Sequence, residues 1–345
     1  MARQPATSSS KLAYAAYLYY VHDLDQSEIA RRLGVSRSNV SRMLTAARDQ
    51  GIVRFHIVYE PTRNHDLEET LVSRFGPLGL QEALVVRPPA NDDRGEASAE
   101  VGLAPAALAL SQAVTEWLAT HLAPGQRLGL SWGGTLQAIV DAAHFDHPID
   151  VHVVQVAGEL SLDPRHSAHD LVRDLAAKLG GHCSYFNAPA VLPSAEDLES
   201  FRLSPQAAEA LELARSVDVA LLGIGAFGLG TSGLFLDYSR ASAEELAEAR
   251  ARRVVGQMAG RFFDATGRQA DLALHRRVLS VELEDLARVP TVVAAATTAA
   301  KATAVVAALS GGLVRVLACD TDLADALLRY DDEAPDAPPR GQGVQ

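Results

Sequence analysis

The segment QSEIARRLGVSRSNVSRMLTAA, residues 26–47, constrains the fold more than any other part of the chain. Its apolar residues recur at helical spacing on both sides of Gly34, which predicts two short helices joined by a tight turn. Gly34 suits that turn because glycine adopts the positive φ angles that end helices. Ser36 is predicted to cap the second helix, since its hydroxyl can accept a hydrogen bond from an unpaired amide of the first turn.

The second helix of this pair separates an apolar stripe from a polar face. The stripe consists of Val40, Met43, Leu44 and Ala47. Arginine can bind guanine edges and asparagine adenine edges, while serine and arginine bind phosphate oxygens. We therefore expect a helix-turn-helix whose DNA-binding residues are Gln26, Ser36, Arg37, Ser38, Asn39, Ser41 and Arg42. A solvated helical hairpin with scattered charges is the alternative.

The charge distribution supports binding of double-stranded DNA by this module. Residues 1–60 contain eight Lys or Arg and five Asp or Glu, whereas the whole chain has a net charge of −12. Because the acidic remainder is repelled by DNA, we expect binding to be confined to the cationic N-terminal module.

Length and composition indicate a small module followed by one larger domain. The 345 residues are 48% hydrophobic, which is enough for a substantial core. An apolar run long enough to span a membrane and a secretory signal are both missing from the sequence, so a cytoplasmic protein is expected. Its two cysteines, Cys183 and Cys319, are expected to be reduced and buried.

The order of patterns along the chain divides it into four parts. Residues 1–10 are predicted to be disordered, and residues 11–60 to form the helix-turn-helix domain, with a first helix over 11–20 and a strand over 52–58. Residues 61–330 are predicted to form the effector and oligomerisation domain. The acidic, proline-rich residues 331–345 are expected to be disordered.

Within residues 61–330, strands alternate with helices. Strands are predicted at residues 84–86, 127–130, 151–156, 217–224, 291–296 and 314–319. Helices are predicted at residues 66–75, 106–121, 135–143, 168–179, 243–251, 299–309 and 322–328. This alternation predicts a three-layer α/β domain of the Rossmann-like kind, with its ligand at the carboxyl ends of the strands.

Two glycine motifs follow predicted strands. Gly129, Ser131 and Gly133 match the G-x-S-x-G elbow of α/β hydrolases, but that serine normally follows several strands of its sheet and here follows only one. We favour an anion site instead, in which Gly133, Gly134 and Thr135 begin a helix and the Ser131 and Thr135 hydroxyls add hydrogen bonds. A plain glycine turn remains the alternative.

The second motif, GIGAFG at residues 223–228, has the spacing of a dinucleotide fingerprint. That fingerprint requires a helix to start there, whereas the following LGTSGLF is broken by glycines and is predicted to be non-helical. The acidic residue that should end the next strand is missing as well. We therefore expect a loop that lines a ligand cleft, and no nicotinamide cofactor.

Histidines and one lysine are the remaining candidates for chemistry. His144, His147, His152, His166 and His169 do not have the spacing of a closed zinc set, so no metal site is predicted. Lys301 lies in the first turn of a predicted helix after an apolar strand, a position suited to a phosphate or carboxylate. It could equally be a solvated surface lysine.

Together these segments resemble the sorbitol-operon regulator family, of the SorC type, which is grouped with the deoxyribonucleoside regulators. The resemblance rests on YLYYVHDLDQSEIARRLGVSRSNVSRMLTAARDQGIVRFHI near the N-terminus and on LGLSWGGTL, LLGIGAFG, VVGQMAGRFFDATGR and AATTAAKATAVVAALSGGLVRVLACD further on. It implies a winged-helix-like module fused to a sugar-binding domain whose fold is related to pentose-phosphate isomerases and amino-sugar-phosphate deaminases. It also implies an oligomer, a dimer or tetramer, whose operator binding responds to a sugar phosphate.

Matching the ligand loops of this family implies effector-binding roles for Gly133, Gly134, Thr135, Gly158, Glu159, Gly225, Gln257, Asp264 and Lys301. Two departures stand out. The family commonly has an acidic residue at the position of Gln257, and a glycine pair at the position of Thr297 and Thr298. Because a side chain blocks close backbone approach, the ligand could instead be an unphosphorylated polyol.

The sequence therefore predicts a sugar-responsive regulator of a carbohydrate-utilisation operon rather than an enzyme. The competing hypothesis is a sugar-phosphate isomerase with an accessory DNA-binding module. It requires a general base near the sugar carbonyl, for which only Glu159 and Asp264 are candidates.

Overall fold

The computed structural model describes residues 9–53, 62–87, 105–160 and 167–330. Its contacts divide the chain into two compact units, with the boundary along the chain between Val58 and Tyr59. The predictions for residues 1–8, 54–58 and 331–345, and for His166, lie outside the described residues.

The N-terminal unit contains the helices α1 (Ser9–Tyr20), α2 (Gln26–Leu33) and α3 (Arg37–Asp49). Gly34 ends α2 with a φ of 64°, as the sequence predicted. The Ser36 hydroxyl accepts a hydrogen bond from Asn39 N at 3.2 Å, so Ser36 is the N-cap of α3. At the start of α2, Asp25 and Glu28 form a capping box.

The three helices enclose a hydrophobic core of their own. Its fully buried members are Leu12, Ala15, Ala16, Leu18, Ile29, Ala30, Val40, Met43, Leu44 and Ala47. The predicted apolar stripe of α3 is therefore confirmed. Ile52 and Val53 pack against this core in a bend, so the part of the predicted strand 52–58 that the structure describes is not a strand.

The C-terminal unit is built on an eight-stranded sheet with the order β1-β2-β11-β10-β6-β3-β4-β5. These strands are β1 (Thr62–Arg63), β2 (Glu82–Arg87), β3 (Arg127–Leu130), β4 (His152–Gln155), β5 (His182–Ser184), β6 (Val219–Gly223), β10 (Thr291–Ala296) and β11 (Val316–Asp320). Only β1 runs antiparallel to its neighbour. A smaller antiparallel sheet contains β7 (Gly225–Ala226), β8 (Val254–Met258) and β9 (Arg261–Asp264).

Helices cover both faces of the large sheet, which confirms the three-layer α/β architecture. One face packs against α5 (Pro105–His121), α6 (Gly134–Ala142) and α7 (Ala168–Leu179). The other packs against α4 (His65–Phe75), α8 (Ala195–Arg202), α9 (Pro205–Arg215), α12 (Leu283–Arg288), α13 (Ala302–Ser310) and α14 (Thr321–Leu328). The unit also contains α10 (Gly230–Tyr238) and α11 (Ala243–Ala251).

In the C-terminal unit, the predicted strands and helices all occur, with boundaries shifted by a few residues. One prediction for this unit is wrong: LGTSGLF lies within or next to α10 instead of forming a non-helical segment. The helix forms because Phe235 is fully buried and stacks on Trp132, so tertiary packing overrides the low helix propensity of the glycines. The small sheet, β5, α8, α9 and α12 were not predicted.

The two cysteines lie apart from each other in the C-terminal unit. Cys319 is buried and Cys183 is half-buried, and neither forms a disulfide. Burial raises the pKa of the Cys319 thiol.

No helix among the described residues is long and apolar enough to cross a membrane.

Candidate DNA interface and effector site

The N-terminus of α3 presents its polar side chains to solvent. Arg37, Ser38, Ser41 and Arg42 are exposed, as is the cap residue Ser36. Asn39 and Gln26 are half-buried. Within the described part of the chain, neither Arg37 nor Arg42 forms an ion pair, so both guanidinium groups are available for an external anion.

Two local hydrogen bonds organise this surface. The Ser36 and Ser38 hydroxyls lie 3.0 Å apart, and Arg42 Nε donates to the Ser38 carbonyl at 3.4 Å. The positive end of the helix dipole adds to the charge of the two arginines at this point. Such a surface suits the phosphates and base edges of a nucleic acid.

The C-terminal unit contains a cavity of about 190 Å³ at the carboxyl ends of its parallel strands. Three neighbouring strands, β3, β6 and β10, lead into its walls. The chain leaves β3 toward α6 on one face of the sheet and leaves β10 toward α13 on the other. The cavity therefore lies at a switch point of the sheet, where ligands of open α/β folds usually bind.

Most of the predicted effector residues meet in this cavity. Its lining includes Gly133, Gly134, Thr135, Gly225, Gln257 and Lys301, together with Trp132, Gly230 and Ala259. Gly133 has a φ of 154°, which favours glycine, and α6 begins directly after it. The Gln257 amide oxygen accepts a hydrogen bond from Gly260 N at 2.9 Å, so its amide nitrogen is the end left for a ligand.

Helices that begin at this cavity have no capping side chain. This holds for α6, for α10 and for the short 3-10 turn (Ala299–Lys301) that leads into α13. Elsewhere in the unit, side chains cap α4, α7, α8, α9, α11 and α14. The first amides of α6 and α10 therefore have no side-chain acceptor and can bind an oxygen-rich ligand.

Two buried polar atoms beside the cavity have no hydrogen-bond partner among the described residues. They are Trp132 Nε1, in a side chain that lines the cavity, and Ser232 Oγ, which lies behind Gly225. Sequence reasoning did not identify either. An unpaired buried donor is costly, so a bound ligand or an ordered water molecule is expected to satisfy these groups.

Lys301 is the only charged residue in the lining of this cavity as the structure describes it. Burial lowers the pKa of the Lys301 ammonium, and the carboxylate of Asp320 acts in the opposite direction. A half-buried cation beside uncapped helix starts, with no acidic side chain in the described lining, suits an anion.

The structure does not bring the other predicted effector residues into the cavity. Ser131 is buried, and its hydroxyl donates a hydrogen bond to the Trp132 carbonyl at 3.5 Å. The Asp264 carboxylate accepts hydrogen bonds from Thr266 and Arg268 in its own turn, at the end of the β8–β9 hairpin away from Gln257.

Gly158 and Glu159 likewise have structural contacts outside the cavity. A Cβ at Gly158 would lie 2.7 Å from the Pro189 carbonyl, so glycine is required for close packing. The Glu159 carboxylate accepts hydrogen bonds from Ala168 N and His169 N at the start of α7. This contact with a helix end was not visible in the sequence.

The histidines have ordinary partners as well. His169 Nε2 lies 2.7 Å from the Phe186 carbonyl, and His152 stacks on His182 with ring centroids 4.0 Å apart. Among the residues that the structure describes, no group of three His, Cys, Asp or Glu could hold a metal ion.

Comparison with known proteins identifies both units. Residues 59–329 match the sugar-binding domain family, and residues 8–62 match the MarR family. The sorbitol operon regulator of Klebsiella pneumoniae is 29% identical over 317 residues, which cover 91% of this chain and 96% of that protein. The transcriptional regulator LsrR of Klebsiella pneumoniae subsp. pneumoniae is 30% identical over 324 residues, 92% of each chain.

A solved structure extends this similarity to the fold. The crystal structure of the full-length sorbitol operon regulator SorC from Klebsiella pneumoniae matches with a TM-score of 0.67 and 27% identity, covering 93% of this chain and 99% of that one. Both units and their order along the chain are thus shared with these regulators. The chain belongs to the SorC-type family of transcriptional regulators, with an N-terminal helix-turn-helix and a C-terminal sugar-binding domain.

Proposed function

We propose that this regulator binds operator DNA through the N-terminus of α3 and that a phosphorylated sugar in the cavity controls that binding. Base and phosphate contacts are assigned to Arg37, Ser38, Asn39, Ser41 and Arg42, and supporting phosphate contacts to Gln26 and Ser36. The exposure of these serines and arginines, together with the local positive charge, supports the assignment.

The choice of a phosphorylated ligand rests on Lys301, which is half-buried and is the only charged residue in the cavity lining that the structure describes. A neutral polyol would leave this cation without an anion inside the cavity, since the nearby carboxylate of Asp320 does not line it. The ligand's phosphate is assigned to Lys301 and to the free amides of Gly133, Gly134 and Thr135. Its hydroxyl groups are assigned to Gln257 and Trp132, with Gly225 leaving space for the Gln257 side chain.

A dimer or tetramer is the form proposed to bind DNA. Two recognition helices would then contact a pseudo-palindromic site whose half-sites are about 34 Å, or a multiple of that distance, apart. Ligand binding in the cavity is proposed to favour one arrangement of the effector domains, with a coupling free energy of about 1–3 kcal/mol. Light scattering of the purified protein, with and without ligand, measures the oligomer directly.

The experiment compares phosphorylated and free forms of the same sugars. Fluorescence anisotropy with DNA from the protein's own promoter is measured while pentose and hexose phosphates, and the matching free sugars and polyols, are added. We expect a sugar phosphate to change operator affinity by about tenfold and its free sugar to have little effect. A response to a free polyol that persists in Lys301→Met would contradict the proposed role of Lys301.

A control variant separates Lys301 from general charge effects. Arg288 is an exposed cation near the amino end of β10, whereas the cavity lies at the carboxyl ends of the strands. Arg288→Met should respond to the sugar phosphate as the unmodified protein does, whereas Lys301→Met should lose the response.

Catalysis of sugar-phosphate isomerisation is the second candidate, favoured by the related folds. It requires a general base within reach of the sugar carbons. The described lining of the cavity contains no Asp, Glu or His, and the carboxylates of Glu159 and Asp264 bind backbone amides elsewhere. We therefore propose a regulator without isomerase activity, and turnover of any member of the sugar-phosphate panel would overturn this part of the proposal.

A further inference from the structure

Thr298 has an unusual backbone conformation in the loop between β10 and Lys301. Its φ angle is 78°, in the left-handed region that is costly for a β-branched residue. It begins the 3-10 turn Ala299–Lys301, and Lys301 N donates a hydrogen bond to the Thr298 carbonyl at 3.1 Å. The backbone conformation of Thr298 thus determines the position from which the Lys301 side chain leaves the turn.

Asp320 compensates for this strain. Its Oδ2 accepts a hydrogen bond from Thr298 N at 3.0 Å, and its Oδ1 accepts one from Leu323 N at 2.9 Å. Asp320 ends β11, the strand next to β10, and is 4% exposed. One buried carboxylate therefore links the strained turn to the start of α14.

The same carboxylate acts electrostatically on Lys301. Its negative charge favours the protonated form of the half-buried Lys301. Asp320 itself does not line the cavity, so it acts on a ligand only through Lys301 and the turn.

We propose that Asp320 is a positioning residue for effector binding: it fixes the Thr298–Lys301 turn in the shape that presents the ammonium to an anion. This inference rests on the proposed role of Lys301. It extends that role by assigning the placement of the cation to a buried residue on the neighbouring strand.

Calorimetric titration of the full-length protein with inorganic sulfate tests the proposal. Sulfate imitates a phosphate group but keeps its charge between neutral and alkaline pH. Asp320→Asn should weaken sulfate binding by about tenfold, because it removes a charged acceptor from two amides. Adding Thr298→Gly should recover at least about threefold, since glycine adopts the positive φ without support.

A matched substitution controls for the general effect of adding glycine. Asp150 also has a positive φ, 54°, but it lies before the amino end of β4, whereas the cavity lies at the carboxyl ends of the strands. Asp150→Gly in the Asp320→Asn background should give no recovery. Equal recovery from both glycine substitutions would mean that Asp320 contributes only general stability, and would overturn the proposal.

A pH series gives a readout that a purely structural residue would not change. Without the Asp320 charge, the Lys301 ammonium loses its proton more easily, so sulfate binding by Asp320→Asn should decline at lower pH than in the unmodified protein. If sulfate binding declines at the same pH in the two proteins, the proposed action on Lys301 is contradicted. If Asp320→Asn does not fold, the pH series on the Asp320→Asn, Thr298→Gly double variant replaces it.

Lys301→Met distinguishes failure of this inference from failure of the proposed function. If it binds sulfate as tightly as the unmodified protein, Lys301 is not the anion ligand and the proposed function is wrong on that point. If it loses sulfate while Asp320→Asn retains full affinity, only the positioning role is wrong.

Discussion

The indole ring of Trp132 stacks on the phenyl ring of Phe235, with the ring centroids 5.2 Å apart and the planes at 15°. Trp132 follows β3, whereas Phe235 lies in α10, so the stack joins two walls of the cavity. Gly260, which follows the lining residue Ala259, packs against both rings, since a Cβ there would lie 3.3 Å from Phe235 and 3.4 Å from Trp132. These three segments therefore pack as one body around the ligand site, and a ligand that moves one should move all of them.

Replacement of Arg42 by alanine should separate DNA binding from effector binding. Arg42 is exposed on α3 and forms no ion pair among the described residues, so its loss should remove about 1–3 kcal/mol of operator affinity and abolish retention in a gel-shift assay. Thermal stabilisation by the sugar phosphate should be unchanged. Arg48, exposed in the last turn of α3, provides the control: Arg48→Ala should retain most of the affinity.

The cap of α3 should determine the stability of the recognition helix. Ser36→Ala removes the acceptor of the Asn39 amide and should destabilise the helix by about 1 kcal/mol, whereas Ser36→Gly should cost only a few tenths. Hydrogen exchange of the amides in α3 measures the difference within the full-length protein. Exchange in Ser36→Ala that is as slow as in the unmodified protein would show that the cap is unimportant.

Gly225 should be intolerant of any side chain. A Cβ at this position would lie 2.7 Å from Gln257 Nε2 and 3.1 Å from Ser232 Cβ, so Gly225→Ala must displace the Gln257 amide from the cavity. We expect the affinity for the sugar phosphate to fall by about tenfold, as measured by calorimetry. Gly76, where a Cβ would meet nothing within 4 Å, is the control: Gly76→Ala should bind normally.

Acid should destabilise the C-terminal domain through His275. Burial, with a contribution from Arg261, lowers the pKa of this histidine to about 3, and its Nε2 accepts a hydrogen bond from Phe262 N at 2.9 Å. The folded state therefore keeps His275 neutral, while the unfolded state binds a proton below the ordinary pKa of 6.5. This stabilisation is complete above that pH and is lost as the pH falls toward about 3.

The expected loss is about 2 kcal/mol between pH 7 and pH 5, since each pKa unit corresponds to about 1.4 kcal/mol. Urea unfolding midpoints measured across this range would show it. His275→Gln removes the titrating group, so its pH dependence should be flatter. If the slope does not change, another group is responsible.

Features that depend on local signals were predictable from the sequence. Gly34 and Ser36 mark the turn and the cap of the recognition helix, because both effects act within a few residues. Apolar runs such as residues 291–296 predicted the central strands for the same reason. The cavity residues Gly133, Gly225 and Lys301 follow such strands. The strand pattern and the family resemblance together therefore predicted that they lie at the carboxyl ends of the strands.

Features that depend on distant partners were not predictable. The α10 helix forms despite Gly230 and Gly233 because Phe235 packs on Trp132, about a hundred residues earlier in the chain. Glu159 was expected near the ligand, but its carboxylate binds amides of α7. Likewise, the hydrogen bond between Thr298 and Asp320 joins the loop after β10 to the end of β11, and only the sheet order reveals that the two are close.

The buried atoms Trp132 Nε1 and Ser232 Oγ have no hydrogen-bond partner among the described residues, so a bound ligand can supply one. A ligand present at a hundred times its Kd would stabilise the folded domain by about 2.7 kcal/mol. Cellular proteases degrade the unfolded chain, so this regulator should persist longer when its sugar is plentiful and turn over faster in starvation. Its abundance would then report the nutrient supply, in addition to its occupancy of the promoter.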